Sequence, residues 1–122
     1  MGKKETNMEE EKSVFREYFG DSPYIKVLDF LLAGQDFDYS MTDVARGAGV
    51  GWSSFTYVWK QLLDKNIIVH TRDIGNAKLF KLNKENPAVR KLIKLDWELT
   101  KLETDKLFEK EGWTKKVKAI SR

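Results

Sequence analysis

Cysteine is absent from this 122-residue chain. That excludes a disulfide-stapled scaffold and every thiolate-based zinc, iron–sulfur or redox centre. Histidine is almost absent, His70 being the single one. A His-rich metal site is therefore excluded, and any His-dependent triad would have to use this residue. Long hydrophobic runs are also missing: no stretch approaches the roughly 20 apolar residues that cross a bilayer, so no membrane association is expected. The opening Met1-Gly2-Lys3-Lys4-Glu5 leads into acidic residues, not into the apolar core of a signal peptide. These absences fit a cytoplasmic protein. The chain also lacks a Gly-rich nucleotide loop ending in Lys-Ser/Thr. No nucleophile–base pair can be placed in it. An enzyme is the reading with least support, and no cofactor or metal is expected.

Hydrophobic residues make up 41% of the chain, charged residues 34% and aromatic residues 12%, with four Trp. That composition and length suit one globular domain with a modest core. The net charge of +3 hides an asymmetry. Residues 21–43 set Lys26 against five Asp, a net of −4. Residues 44–84 carry Arg46, Lys60, Lys65, Arg72, Lys78, Lys81 and Lys84 against Asp64 and Asp73, a net of +5. A basic central segment is the electrostatic footprint of a polyanion binder, although ordinary surface charge gives the same count.

Periodicity and punctuation divide the chain further. Residues 1–12 read as a polar tail, and Met8–Phe19 as a helix stopped by Gly20. Asp21-Ser22-Pro23 reads as a cap followed by a first-turn proline. It opens a core helix carrying Ile25, Leu28, Phe30, Leu31 and Leu32, which ends near Gly34. Residues 35–39 form a polar loop or short strand. Ser40 caps a short helix from about Met41 to Arg46, which Gly47 ends, and Gly47–Gly51 is a tight turn. Trp52–Lys65 places Phe55, Val58, Trp59, Leu62 and Leu63 on one face, and Asn66 suits a left-handed residue past its end. The period then changes from 3.6 to 2. Ile67–Thr71 and Ala77–Leu82 read as strands around an Ile74-Gly75-Asn76 turn, with imperfect alternation at Leu79 and Phe80. Asn86-Pro87 opens a last helix reaching about Lys110.

Helix, short helix, glycine turn, helix and hairpin is a helix-turn-helix followed by a wing. The residues that carry the pattern are Tyr39–Val50, then Phe55, Trp59 and Leu62, then Asn66-Ile67-Ile68, and the hairpin Arg72–Phe80. Over roughly residues 23–84 the chain resembles the winged helix-turn-helix family. More narrowly, it is similar to small prokaryotic and archaeal transcriptional regulators of the MarR, ArsR and PadR type. The resemblance implies a mainly α fold with a small β-hairpin and a long C-terminal helix. It divides the chain into a tail or helix over 1–20, the winged domain over 21–85, a dimerisation helix over 86–112 and a basic tail over 113–122. It also implies a cytoplasmic, nucleoid-associated protein that binds double-stranded DNA, with helix 52–65 in the major groove and the wing on the backbone or minor groove.

With Phe55, Trp59 and Leu62 buried, that helix turns Ser53, Ser54, Thr56, Tyr57 and Lys60 outward, with Trp52 at its entry. Ser40 and Thr42 from the bracing helix and Arg72, Asn76 and Lys78 from the wing complete the expected DNA-contacting set. Arg72 is read as a tip arginine suited to a narrow minor groove. The outward face departs from the family in having few Arg, Asn or Gln residues, the side chains suited to bidentate base contacts. His70 reads as a structural strand residue, and Trp52 as a residue that packs under the domain or else intercalates.

In the last helix Leu92, Leu95, Leu99 and Leu102 recur at an a/d spacing, beside a second stripe of Val89, Ile93 and Trp97. The stripes and the resemblance together imply a homodimer through Val89, Leu92, Ile93, Leu95, Leu99 and Leu102, with two recognition helices about 34 Å apart. Two further readings fit the same residues. One is a weakly specific architectural DNA binder, the other a winged-helix module that docks on another protein.

Overall fold

Side chains cap four of the helix starts in the computed structural model, which describes residues 12–110. The elements are α1 (Val14–Phe19), α2 (Pro23–Ala33), β1 (Tyr39–Ser40), α3 (Met41–Ala48), α4 (Trp52–Asp64), β2 (Ile68–Ile74), β3 (Ala77–Leu82) and α5 (Pro87–Lys110). The hydroxyls of Ser13, Ser22 and Ser40 accept from the backbone N–H three residues on, at 3.1–3.2 Å. The Asn86 side-chain oxygen accepts from Ala88 N–H at 2.9 Å. Each cap takes up one of the N–H groups that a first helical turn leaves unpaired. Ser13 also donates to Asp29 at 2.8 Å and so ties α1 to α2. The helix expected from Met8 begins at Val14 within the described residues. The 113–122 tail lies outside them.

The three strands are antiparallel in the order β1-β3-β2. Tyr39 pairs with Phe80 and Ser40 with Leu79, so the short stretch before α3 becomes the hairpin's third strand. The register shifts between His70 and Arg72, which makes Thr71 the bulged residue. This bulge accounts for the broken alternation. Phe80 joins the main core, while Leu79 is buried apart from it.

Trp59, Phe55, Leu31, Leu62, Leu82, Val27, Val44 and Val89 are the fully buried large side chains. Removing each of the larger ones from water stabilises the fold by roughly 1.5–3 kcal/mol. Phe15 of α1 and Val89 of α5 belong to the same cluster as α2–α4 and the sheet, so the flanking helices share one core with the 21–85 unit. Asn66 is left-handed (φ +58°), as its position past α4 predicts. Its carbonyl accepts from the side chains of both Asn83 and Asn86, at 3.1 and 3.0 Å. Asn86 therefore caps α5 and fastens it to the exit of α4.

The glycine turn differs from expectation. The short helix runs through Gly47 to Ala48, and Gly49 ends it in the left-handed region (φ +70°) with its N–H on Ala45 and Arg46 carbonyls. Gly47 serves packing: a Cβ there would overlap the ring of Phe30 in α2. That ring lies edge-on to Tyr39, with centroids 5.0 Å apart. Overpacking of this kind costs about 1–3 kcal/mol, against the ~1 kcal/mol that alanine returns as a better helix former. Since Phe30 is braced by Tyr39, the clash should win. Gly47→Ala is expected to lower stability by up to about 2 kcal/mol, read as a lower urea midpoint at unchanged slope. An unchanged or higher midpoint would show that the ring gives way.

Candidate nucleic-acid interface

Helix α4 meets the rest of the fold through stacked rings. Trp52 lies on Phe55 (centroids 5.3 Å, 26°) and Phe55 on Trp59 (5.0 Å, 27°). Trp59 then meets Phe80 of β3 edge-on at 5.4 Å, and Phe80 meets His70 at 5.6 Å. The column runs from the first residue of α4 through the core to the outer strand. It sets the helix and the wing at one angle.

Five of the expected contact residues gather around one cleft of roughly 370 Å³: Ser40, Thr42, Trp52, Asn76 and Lys78. The starts of α3 and α4 and the hairpin turn thus converge there. Trp52 is 53% exposed in this cleft, so it packs on Phe55 with one part and meets solvent with the other. The Ser40 hydroxyl is occupied as the α3 cap. Ser53, Ser54 and Tyr57 line a second cleft, of about 480 Å³, between α4 and the start of α2. Thr56 is half-buried, and its hydroxyl donates back to the Ser53 carbonyl at 3.1 Å. Lys60 and Arg72 line neither cleft. Lys60 pairs with Asp64 at 3.3 Å on the exposed face of α4.

Arg72 is not at the wing tip. The strands run to Ile74 and resume at Ala77, so Gly75 (φ +62°) and Asn76 form the turn. Arg72 sits two residues inside the strand, opposite Leu79. Its Nε and Nη2 donate to the two carboxylate oxygens of Asp38 at 3.0 and 3.1 Å. Thr71, the bulged residue, donates to the same carboxylate at 2.5 Å. Sequence reasoning missed Asp38. Its partners lie 33 and 34 positions away, and no local signal links them. The Arg72 guanidinium and then the Thr71 hydroxyl hold the Asp38 carboxyl at about 2, below the usual carboxylate range. His70 is exposed and bonds Asp73 at 2.6 Å, which holds the Asp73 carboxyl low as well.

The dimerisation set divides. Val89 is fully buried in the chain's own core and cannot also meet a second copy, which corrects its expected role. Leu92 and Ile93 pack partly on that core, and Leu99 is buried. Leu95 and Leu102 are 40% and 52% exposed. Within the chain, α5 runs back along α1, where Tyr18 donates to Glu103 at 2.7 Å. Among the described residues no group of three His, Asp or Glu is placed to hold a metal, and no helix is long and apolar enough to cross a membrane.

No protein-family model matches the chain, and no curated protein sequence matches it. Solved structures do. A mutant of MepR from a multidrug-resistant clinical isolate of Staphylococcus aureus aligns with a TM-score of 0.59 at 17% identity, over 95% of this chain and 87% of that one. A MarR-family transcriptional regulator from Silicibacter pomeroyi aligns with 0.53 at 16% identity, over 88% and 77%. The adhesin competence repressor of Streptococcus pyogenes aligns with 0.52 at 16% identity, over 80% and 78%. The chain shares the winged-helix fold of these structures. At these identities the likeness establishes the fold and leaves the activity to the site.

Asp38 makes the seating of the wing sensitive to acid. A carboxyl held at about 2 in the folded chain, against the ordinary 3.8, contributes stability that is complete above the usual range and lost as pH falls through about 2. As pH falls towards about 2 the bonds from Arg72 and Thr71 to Asp38 are therefore expected to open, while the β1–β3 pairing stays in place. The Arg72 Nε–H resonance and the Thr71 amide exchange rate should report it. An Asp38→Asn variant should show no such transition. A transition identical in that variant would assign the change to another group.

Proposed function

We propose that the chain is a transcriptional regulator that binds double-stranded DNA, with α4 in the major groove and the wing on the backbone and minor groove. The observation that carries this reading is the convergence of Thr42, Trp52, Asn76 and Lys78 on one cleft, with Ser53 and Tyr57 continuing the surface along α4. A helix is the element that fits the major groove, and the bracing helix and hairpin are placed to meet the flanking phosphates. The shared fold with proteins named as a regulator and a repressor supports the same reading. A regulator of this kind works in the cytoplasm, in association with the nucleoid.

The acting unit in this reading is a homodimer joined through the Leu92–Leu102 seam. Leu95 and Leu102 support it, because they are large apolar side chains left open on a helix whose other face is already buried. The scarcity of Arg, Asn and Gln on the outer face of α4 favours one second reading, an architectural binder with little sequence preference.

Two measurements test the proposal. Fluorescence anisotropy with a random-sequence duplex should show log affinity falling linearly with log salt. A Lys78→Ala variant should reduce that slope by about 0.9, for the one phosphate it no longer neutralises. A folded wild-type protein that binds no duplex at low salt would remove the DNA-binding reading. Sedimentation of wild type should give a dimer, and Leu95→Glu/Leu102→Glu a folded monomer with weaker DNA binding. A monomeric wild type would remove the dimer.

A further inference from the structure

We propose that Tyr57 is the specificity residue of α4 and that it reads thymine through its C5-methyl group in the major groove. The inference rests on the DNA-binding reading above and names the base that this surface selects.

It follows from what the outer face of α4 has left to offer. Discrimination in the major groove comes from bidentate Arg, Lys, Asn or Gln contacts, from acids facing cytosine, or from apolar contact with the thymine methyl. Lys60, the one cation on the face, bonds Asp64. The Thr56 hydroxyl is turned back to the Ser53 carbonyl. Ser53 and Ser54 remain exposed, but a serine hydroxyl bonds either kind of base edge and so selects little. Gln61 lines the same cleft but is half-buried, and Trp52, at the first residue of the helix, is stacked on Phe55. The largest exposed group on the face is the Tyr57 ring, at 68%. It stands over the cleft formed with Ser22, Pro23 and Tyr24, clear of the buried side of the helix that holds Phe55, Trp59 and Leu62. An aromatic ring in that position has an apolar face for a methyl group, and its hydroxyl at the rim remains solvated.

The test isolates the methyl. The tightest duplex recovered from a random-sequence pool is rebuilt with deoxyuridine in place of thymine, which removes only the C5-methyl groups. Each methyl covered by the ring should be worth about a 4-fold change in affinity, as for one buried methylene. Wild type is expected to bind the deoxyuridine duplex about 4-fold more weakly per covered methyl. Tyr57→Phe should keep that ratio, because the ring remains, and Tyr57→Ser should bring it to one. Circular dichroism confirms the fold of both variants, and the exposure of Tyr57 makes disruption unexpected. Equal wild-type affinity for the two duplexes overturns the inference and leaves DNA binding standing. A ratio that survives in Tyr57→Ser assigns methyl recognition to another residue and overturns it too. Tighter binding to the single strand than to its duplex would make Tyr57 a stacking platform and also overturn it. Absence of binding to any duplex removes the proposed function, and this inference with it.

Discussion

Trp59 holds the molecule's working geometry. It is fully buried, lies flat on Phe55 within its own helix and meets Phe80 edge-on across the gap to the sheet. Phe80 is the cross-strand partner of both Tyr39 and His70, so a single residue joins α4 to all three strands. Tyr39 in turn packs against Phe30 of α2. Aromatic pairs of this kind are worth about 0.5–1.5 kcal/mol each beyond their burial, and they favour tilted or offset rings. The chain of contacts therefore sets orientation as well as cohesion. Helix and wing cannot rotate independently without opening at least one of these pairs.

Local signals were legible and long-range ones were not. Ser22-Pro23, Ser40, Asn66 and Asn86-Pro87 each act within a turn of themselves, and the structure uses each where the sequence places it. The buried face of α4 was legible for the same reason, since one period of 3.6 residues specifies it. Gly47 misled because glycine has two uses. Its missing side chain can end a helix or let another helix come close, and only the position of Phe30 decides between them. Val89 misled in a similar way: an apolar residue on a helix stripe does not show which of two neighbours it covers, and here the chain's own core takes it. In the site, Ser40, Thr42, Trp52, Asn76 and Lys78 lie on the elements where periodicity and turn residues put them. The place of Arg72 was not legible, because a carboxylate far away in sequence decides where its guanidinium goes.

The Asp38–Arg72 pair changes what the wing can do. An unpaired arginine on a hairpin is a mobile cation that gains a phosphate contact and gives up rotamer freedom in doing so. Arg72 has already given up that freedom, and its charge is matched by an acid of the otherwise acidic 21–43 segment. The carboxylate holds Nε and Nη2 and leaves Nη1 open, so a phosphate would meet a guanidinium whose charge is already matched, with less to gain. In the proposed complex, direct phosphate binding by the wing therefore falls to Lys78, beside the turn, while Arg72 with Thr71 fixes where that turn stands. Affinity and placement are thus divided between neighbouring residues of one hairpin. The outer face of α4, poor in cations able to hold the backbone, depends on the wing for both.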